Sequence, residues 1–149
     1  DAEALVVRPK EFLDGALPAT NSIALTALLR VNALVEDPAL DDAAARTLAL
    51  ARPLLERHPA AVADLVAALP MWGGRYEIVV TGDRPDLLGE VRRRWLPAAV
   101  TAWGQPDGGP LFAGRPPEPG RAYVCQARSC RMPAEDATTL SAQLEALVA

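Results

Sequence analysis

The stretch Tyr76-Glu77-Ile78-Val79-Val80-Thr81, closed by Gly82-Asp83, decides the fold. β-Branched and aromatic side chains pack well on a pleated surface, and a short run of them ended by a glycine-aspartate turn predicts a strand. Just downstream, Pro85 to Trp95 puts Leu87, Leu88, Val91 and Trp95 on one side of a helix, and Ala98-Ala99-Val100-Thr101-Ala102-Trp103 reads as a second strand. A strand, helix, strand run is normally parallel with a right-handed crossover. The sequence therefore predicts a small α/β unit here.

Working outward, residues 104–120 are densely set with glycine and proline and read as a long loop. Arg121 to Cys125 is a short third strand, and Glu135 to Val148 a final helix with Leu140, Leu144 and Leu147 inward. Upstream the period is helical. After a loop over residues 1–21, Asn21 or Ser22 is placed to cap a helix carrying Leu25, Leu28, Val31 and Leu34. Asp37-Pro38 ends it, and a second helix starts near Asp41 or Asp42 and is bent by Pro53. A third starts at Pro59, carries Val62, Leu65, Val66 and Leu69, and closes at Pro70. The expected class is α+β: a helical segment over 1–70, made of a helix hairpin and a third helix, joined to a three-stranded, mainly parallel α/β unit with a C-terminal helix over 71–149.

Composition narrows the function classes. The chain has 149 residues, half of them apolar, and a net charge of −4. That length suits one core, and that charge offers no broad positive field for nucleic acid. Arg92-Arg93-Arg94 reads as a solvated helix face. No apolar run is long enough to span a membrane and the start lacks a signal-peptide pattern, so a cytoplasmic location is expected.

Few side chains suggest chemistry. Four residues lie between Cys125 and Cys130, just after a strand. The pair admits reduced structural thiols, which a reducing compartment favours, a reversible disulfide, or a metal site shared between chains. The redox spacing of two intervening residues is absent, and the single histidine, His58, lies far off at a helix boundary. No metal site and no cofactor are therefore assigned. Asp14, Asn21 and Ser22 form a second cluster: an amide can orient a hydroxyl, and a carboxyl of raised pKa can serve as an acid, although caps and turns use the same residue types. Thr81-Gly82-Asp83-Arg84-Pro85 lacks the dinucleotide fingerprint, and Asp83 reads as a helix cap. Trp72, Trp95 and Trp103 read as packing around the sheet.

Several segments together carry a family likeness: Arg8-Pro9, Asp14-Gly15-Ala16-Leu17-Pro18-Ala19-Thr20-Asn21-Ser22, Leu111-Phe112-Ala113-Gly114-Arg115-Pro116, Arg121-Ala122-Tyr123-Val124-Cys125 and Ser129-Cys130-Arg131-Met132-Pro133. The chain resembles the C-terminal part of the spermatogenesis-associated, thioredoxin-domain-containing proteins. The resemblance implies a thioredoxin-like domain and most of a helical toroid upstream, the toroid being similar to N-acylglucosamine epimerases and six-hairpin glycosidases. It implies a carbohydrate isomerase or hydrolase as the parent, with this region inert alone and Asp14, Asn21 and Ser22 at most lining a pocket. In that family the loop reads Pro-Ser-Gly-Asn-Ser, whereas here it is Pro18-Ala19-Thr20-Asn21-Ser22. The expected partners are the upstream toroid and thioredoxin-like segment, or a second copy meeting the helical face. The alternative role is a non-catalytic interaction or capping module, with thiol redox chemistry at Cys125 and Cys130 as a lesser one.

Overall fold

The computed structural model describes residues 10–106, 108–127 and 129–147. Arg8-Pro9 and Val148 lie outside them. The described residues form an α+β fold with five α-helices, the last of them C-terminal, and a four-stranded mixed sheet. Its contacts divide the chain into two compact units, one holding the described residues through Leu29 with Pro38–Leu69, the other Arg30–Asp37 with Pro70 onward.

In the first unit, helix α1 (Thr20–Val35) begins, α2 (Pro38–Arg57) follows, and a short 3-10 turn at Pro59–Val62 leads into α3 (Ala63–Gly74). Leu25, Leu29, Val62 and Leu65 are fully buried, each contributing about 1.5–3 kcal/mol as apolar surface leaves water. Several helix boundaries differ from the sequence reading, among them the start of the third helix, where the segment expected to be helical from Pro59 is a 3-10 turn until Ala63. α2 starts at Pro38 itself, because proline at the first helical position has no N–H to leave unpaired. α3 runs through Pro70 to Gly74, carried past the proline by the buried Met71. α1 stops at Val35, where Glu36 turns left-handed at φ 53° and its N–H donates to the Asn32 carbonyl at 2.9 Å.

The second unit is built on β1 (Tyr76–Thr81), whose last four residues are buried. The helix α4 (Pro85–Arg92) carries the chain to β2 (Ala99–Gly104), which pairs with β1 in parallel from Tyr76↔Ala99 to Thr81↔Gly104. β3 (Ala122–Gln126) lies on the other side of β1 and runs antiparallel, and β4 (Ser129–Cys130) adds antiparallel to β3, giving the order β2-β1-β3-β4.

The sheet is thus four-stranded and mixed, where three mainly parallel strands were expected. A parallel return needs a crossover element, and the described residues between β2 and β3 hold a 3-10 turn at Pro110–Phe112 as their one helical element. The fourth strand leaves no pattern in the sequence, because it is two residues long and follows a tight turn at Ala127, which has φ 49°.

Alternation along β1 gives the sheet two faces. Ile78 and Val80 pack with Leu87 and Val91 of α4 and with Leu140 and Leu144 of α5 (Ala137–Glu145). Val79, on the opposite face, packs with Leu111 and Phe112 from the long loop. That part of the loop therefore covers the second face of the sheet.

Candidate functional site

Asp14, Asn21 and Ser22 come together at the start of α1, where their hydrogen bonds run to nearby backbone and to one another. Asp14 Oδ1 accepts the Ala19 N–H at 2.8 Å and the Ser22 hydroxyl at 3.5 Å, while Oδ2 accepts the Asp64 N–H at 2.9 Å. The first is at the start of α1 and the second in the first turn of α3, where N–H groups have no partner within their own helix. Asp14 thus serves two helix starts at once. Those backbone donors, Ala19 first and Asp64 next, hold its carboxyl below the usual carboxylate range. The raised pKa that an acid role at Asp14 would need is therefore not what its surroundings favour, since donors to the anion oppose protonation.

Asn21 donates from its side-chain nitrogen to the Glu11 carbonyl at 2.6 Å, tying the preceding loop to α1. The helix starts one residue earlier than Asn21, so neither Asn21 nor Ser22 is its cap. Ser22 is buried, with its hydroxyl on Asp14. The three candidates form a structural clasp around the start of α1.

The second candidate is changed more deeply. β3 and β4 place Cys125 opposite Cys130, and their sulfurs are joined in a disulfide with Cα atoms 3.9 Å apart. The reading as reduced structural thiols gives way to the oxidised pair. With both sulfurs covalently engaged, the pair offers no thiolate to a metal. Arg131 N–H donates to the Val124 carbonyl at 2.9 Å, so the neighbouring Val124/Arg131 pair is hydrogen-bonded. Cys125/Cys130 is then the non-hydrogen-bonded pair, where side chains approach closest.

A residue not weighed from sequence completes this place. Arg115 Nη2 lies 3.2 Å from Cys125 Sγ and 3.4 Å from Cys130 Sγ. Its Nη1 donates to the Leu111 carbonyl, and its guanidinium sits 5.5 Å from the centre of the Tyr123 ring. Tyr123 is two residues before Cys125, so strand alternation puts both on the same face of β3. The signal in the sequence was Arg115 beside Pro116 and ten positions before Cys125, which says nothing of contact until the loop is folded back.

A third feature lies at the C-terminal ends of β1 and β2, the usual ligand position of an open α/β unit. A cleft of about 330 Å³ is bordered there by Gly82, Asp83, Arg84, Trp103 and Gln105. Asp83 is exposed and does not cap α4. The cap position is Arg84, whose side chain makes no capping bond. Arg84 instead grips Asp86 through both carboxylate oxygens, at 2.9 and 2.7 Å, and donates to the carbonyls of Gly120 (2.6 Å) and Glu135 (2.8 Å). Its donors are committed to holding the loop and are not offered to a ligand.

The tryptophans are not core. Trp95 is 83% exposed and Trp103 55%, the latter with the Arg92 guanidinium 5.2 Å from its ring centre. Trp103 stands on β2, which is an edge strand, and Trp95, in the segment before it, lines the same groove. Arg93 pairs with Glu90, and Arg94 reaches Glu90, Glu145 and Ser141, so the basic cluster is absorbed within the unit. His58 precedes the 3-10 turn without a side-chain capping bond. No helix among the described residues is long and apolar enough to cross a membrane.

No family model, curated protein or solved structure matches the chain.

Proposed function

We propose that this chain is the closing part of a helical toroid protein of the resembled, thioredoxin-domain-containing kind, working in the cytoplasm. Its first unit contributes helices to the ring and its α/β unit forms a cap, without catalysis of its own.

One observation carries the reading: α1 is apolar on opposite sides. Leu25, Leu29 and Ala33 are buried, while Ile23 (56% exposed), Val31 and Leu34 (43% exposed) stand on the other face with Ala27. Arg30 is the only charged residue in the helix. A helix apolar all round belongs in an interior, so the outer face calls for further helices. The clasp of Asp14, Asn21 and Ser22 supports the same role, since it fixes the start of α1 and leaves these side chains positional.

If the parent acts on a carbohydrate, as the resemblance implies, the catalytic groups come from the rest of the ring. The test is light scattering of the chain alone and of a longer product that includes the helices encoded upstream. The chain alone is expected to self-associate with rising concentration, and I23Q/L34Q to abolish this. The longer product is expected to be monomeric with slow amide exchange throughout α1. A chain that stays monomeric at all concentrations, with α1 exchange unchanged in the longer product, overturns the reading.

A further inference from the structure

We propose that Cys125 and Cys130 form a thiol-disulfide exchange site, opened by a dithiol, in which Arg115 receives the departing thiolate. Three features point there together. The sulfurs are joined across the non-hydrogen-bonded pair of β3 and β4, so bond and strand pairing are coupled. The two residues are unequally accessible: Cys125 is 1% exposed, whereas Cys130 is on an exposed two-residue strand. Finally, one nitrogen of Arg115 sits within hydrogen-bond range of both sulfurs.

The asymmetry sets the direction of attack. A thiolate of the dithiol attacks Cys130 Sγ, and the electron pair of the broken S–S bond goes to Cys125 Sγ. The second thiol of the dithiol, after losing its proton to solvent, attacks the dithiol's own sulfur in the mixed disulfide and frees Cys130. Two electrons pass to the protein pair, and the dithiol becomes a cyclic disulfide. Its two protons return through solvent to the protein thiols, less the fraction left as thiolate beside Arg115.

Arg115 acts on the two states unequally. A neutral disulfide sulfur is a weak acceptor, whereas a thiolate beside a guanidinium gains a charge-assisted bond and a lower pKa. The reduced state is therefore favoured, and a lower-pKa leaving thiol departs faster. The Leu111 carbonyl and the Tyr123 ring hold the guanidinium at the sulfurs before and after the bond opens.

The experiment equilibrates the full chain with graded ratios of reduced to oxidised dithiothreitol, then alkylates and counts modified cysteines by mass. Wild type is expected to pass from disulfide to dithiol in one step. With the titration run at a pH above the ordinary thiol range, R115M, checked for folding by circular dichroism, should need up to about tenfold more reducing conditions, the limit set by roughly one pKa unit on one fully ionised thiol. The difference should shrink toward about pH 7, where little thiolate forms, and R115K should lie between. In a separate arm, brief exposure of wild type to reduced glutathione and peptide mapping should place the mixed disulfide on Cys130. The proposal fails if folded R115M titrates like wild type, if the adduct is on Cys125, or if aerobically purified protein shows two free thiols.

Discussion

The Asp14 carboxylate accepts the backbone N–H of Asp64 at 2.9 Å across fifty positions of chain. Its other oxygen takes the Ala19 N–H, so one side chain fastens the starts of α1 and α3. A carboxylate at a helix start is also favoured by the helix dipole.

Stability should therefore fall in acid through this residue. The folded pKa of Asp14 lies below its ordinary value of 3.8, held down first by the Ala19 N–H, and Asp136 at the start of α5 is lowered likewise by Thr139. The unfolded chain then binds protons first as pH drops, so these groups stabilise fully above about pH 5 and lose their contribution as pH falls through their folded pKa values. D14N is expected to lower Tm near neutrality by about 5 °C and to flatten the acid limb. Thermal melts from pH 2 to 7 check this, and an unchanged acid limb would refute it.

Gly82 and Gly120 touch where the long loop meets the end of β1. A Cβ on Gly82, which has φ 70°, would stand 2.6 Å from the Pro117 carbonyl oxygen, and one on Gly120 would stand 2.6 Å from that of Thr81. Both obstacles are backbone. G82A and G120A should each cost about 2–3 kcal/mol by overpacking, whereas G15A, with nothing near its Cβ site, should be neutral or stabilising by up to about 1 kcal/mol. Urea unfolding of the three variants makes the comparison.

Glu36 closes α1 in the left-handed region, where a side chain is a burden. E36G should raise the unfolding free energy by about 0.5–1 kcal/mol, because glycine meets no Cβ penalty at this position. Chemical denaturation would show a loss instead if the Glu36 side chain mattered more than its backbone.

Arg84 joins three segments: the first turn of α4 through Asp86, the long loop through Gly120, and the approach to α5 through Glu135. R84Q should cost about 1–2 kcal/mol, since charged donors are removed from two carbonyls. D86N should cost less than about 1 kcal/mol, because Asp86 is nearly half exposed and the carbonyl bonds survive. Equal losses in the two variants would mean that the ion pair, and not the loop attachment, carries the effect.

Periodicity and composition alone determined most of the elements. The β-branched run at Ile78-Val79-Val80, the Leu87/Val91 stripe and the Leu140/Leu144 stripe are local patterns, and local patterns specify local backbone. Strand direction was legible only for the β1–β2 pair, whose intervening helix makes a parallel crossover, whereas the third strand, expected within a mainly parallel unit, runs antiparallel. The structure alone decided what the polar and charged groups touch. Nothing at Asp14 announces Ala19 and Asp64 as its donors, and nothing at Arg115 announces two sulfurs, because these meetings depend on how loops fold back over a core. The cysteines show the division most plainly. Their spacing allowed three states, and the antiparallel register that sets Cys125 opposite Cys130 selected one, because side chains meet across a ladder only when tertiary pairing brings the strands together.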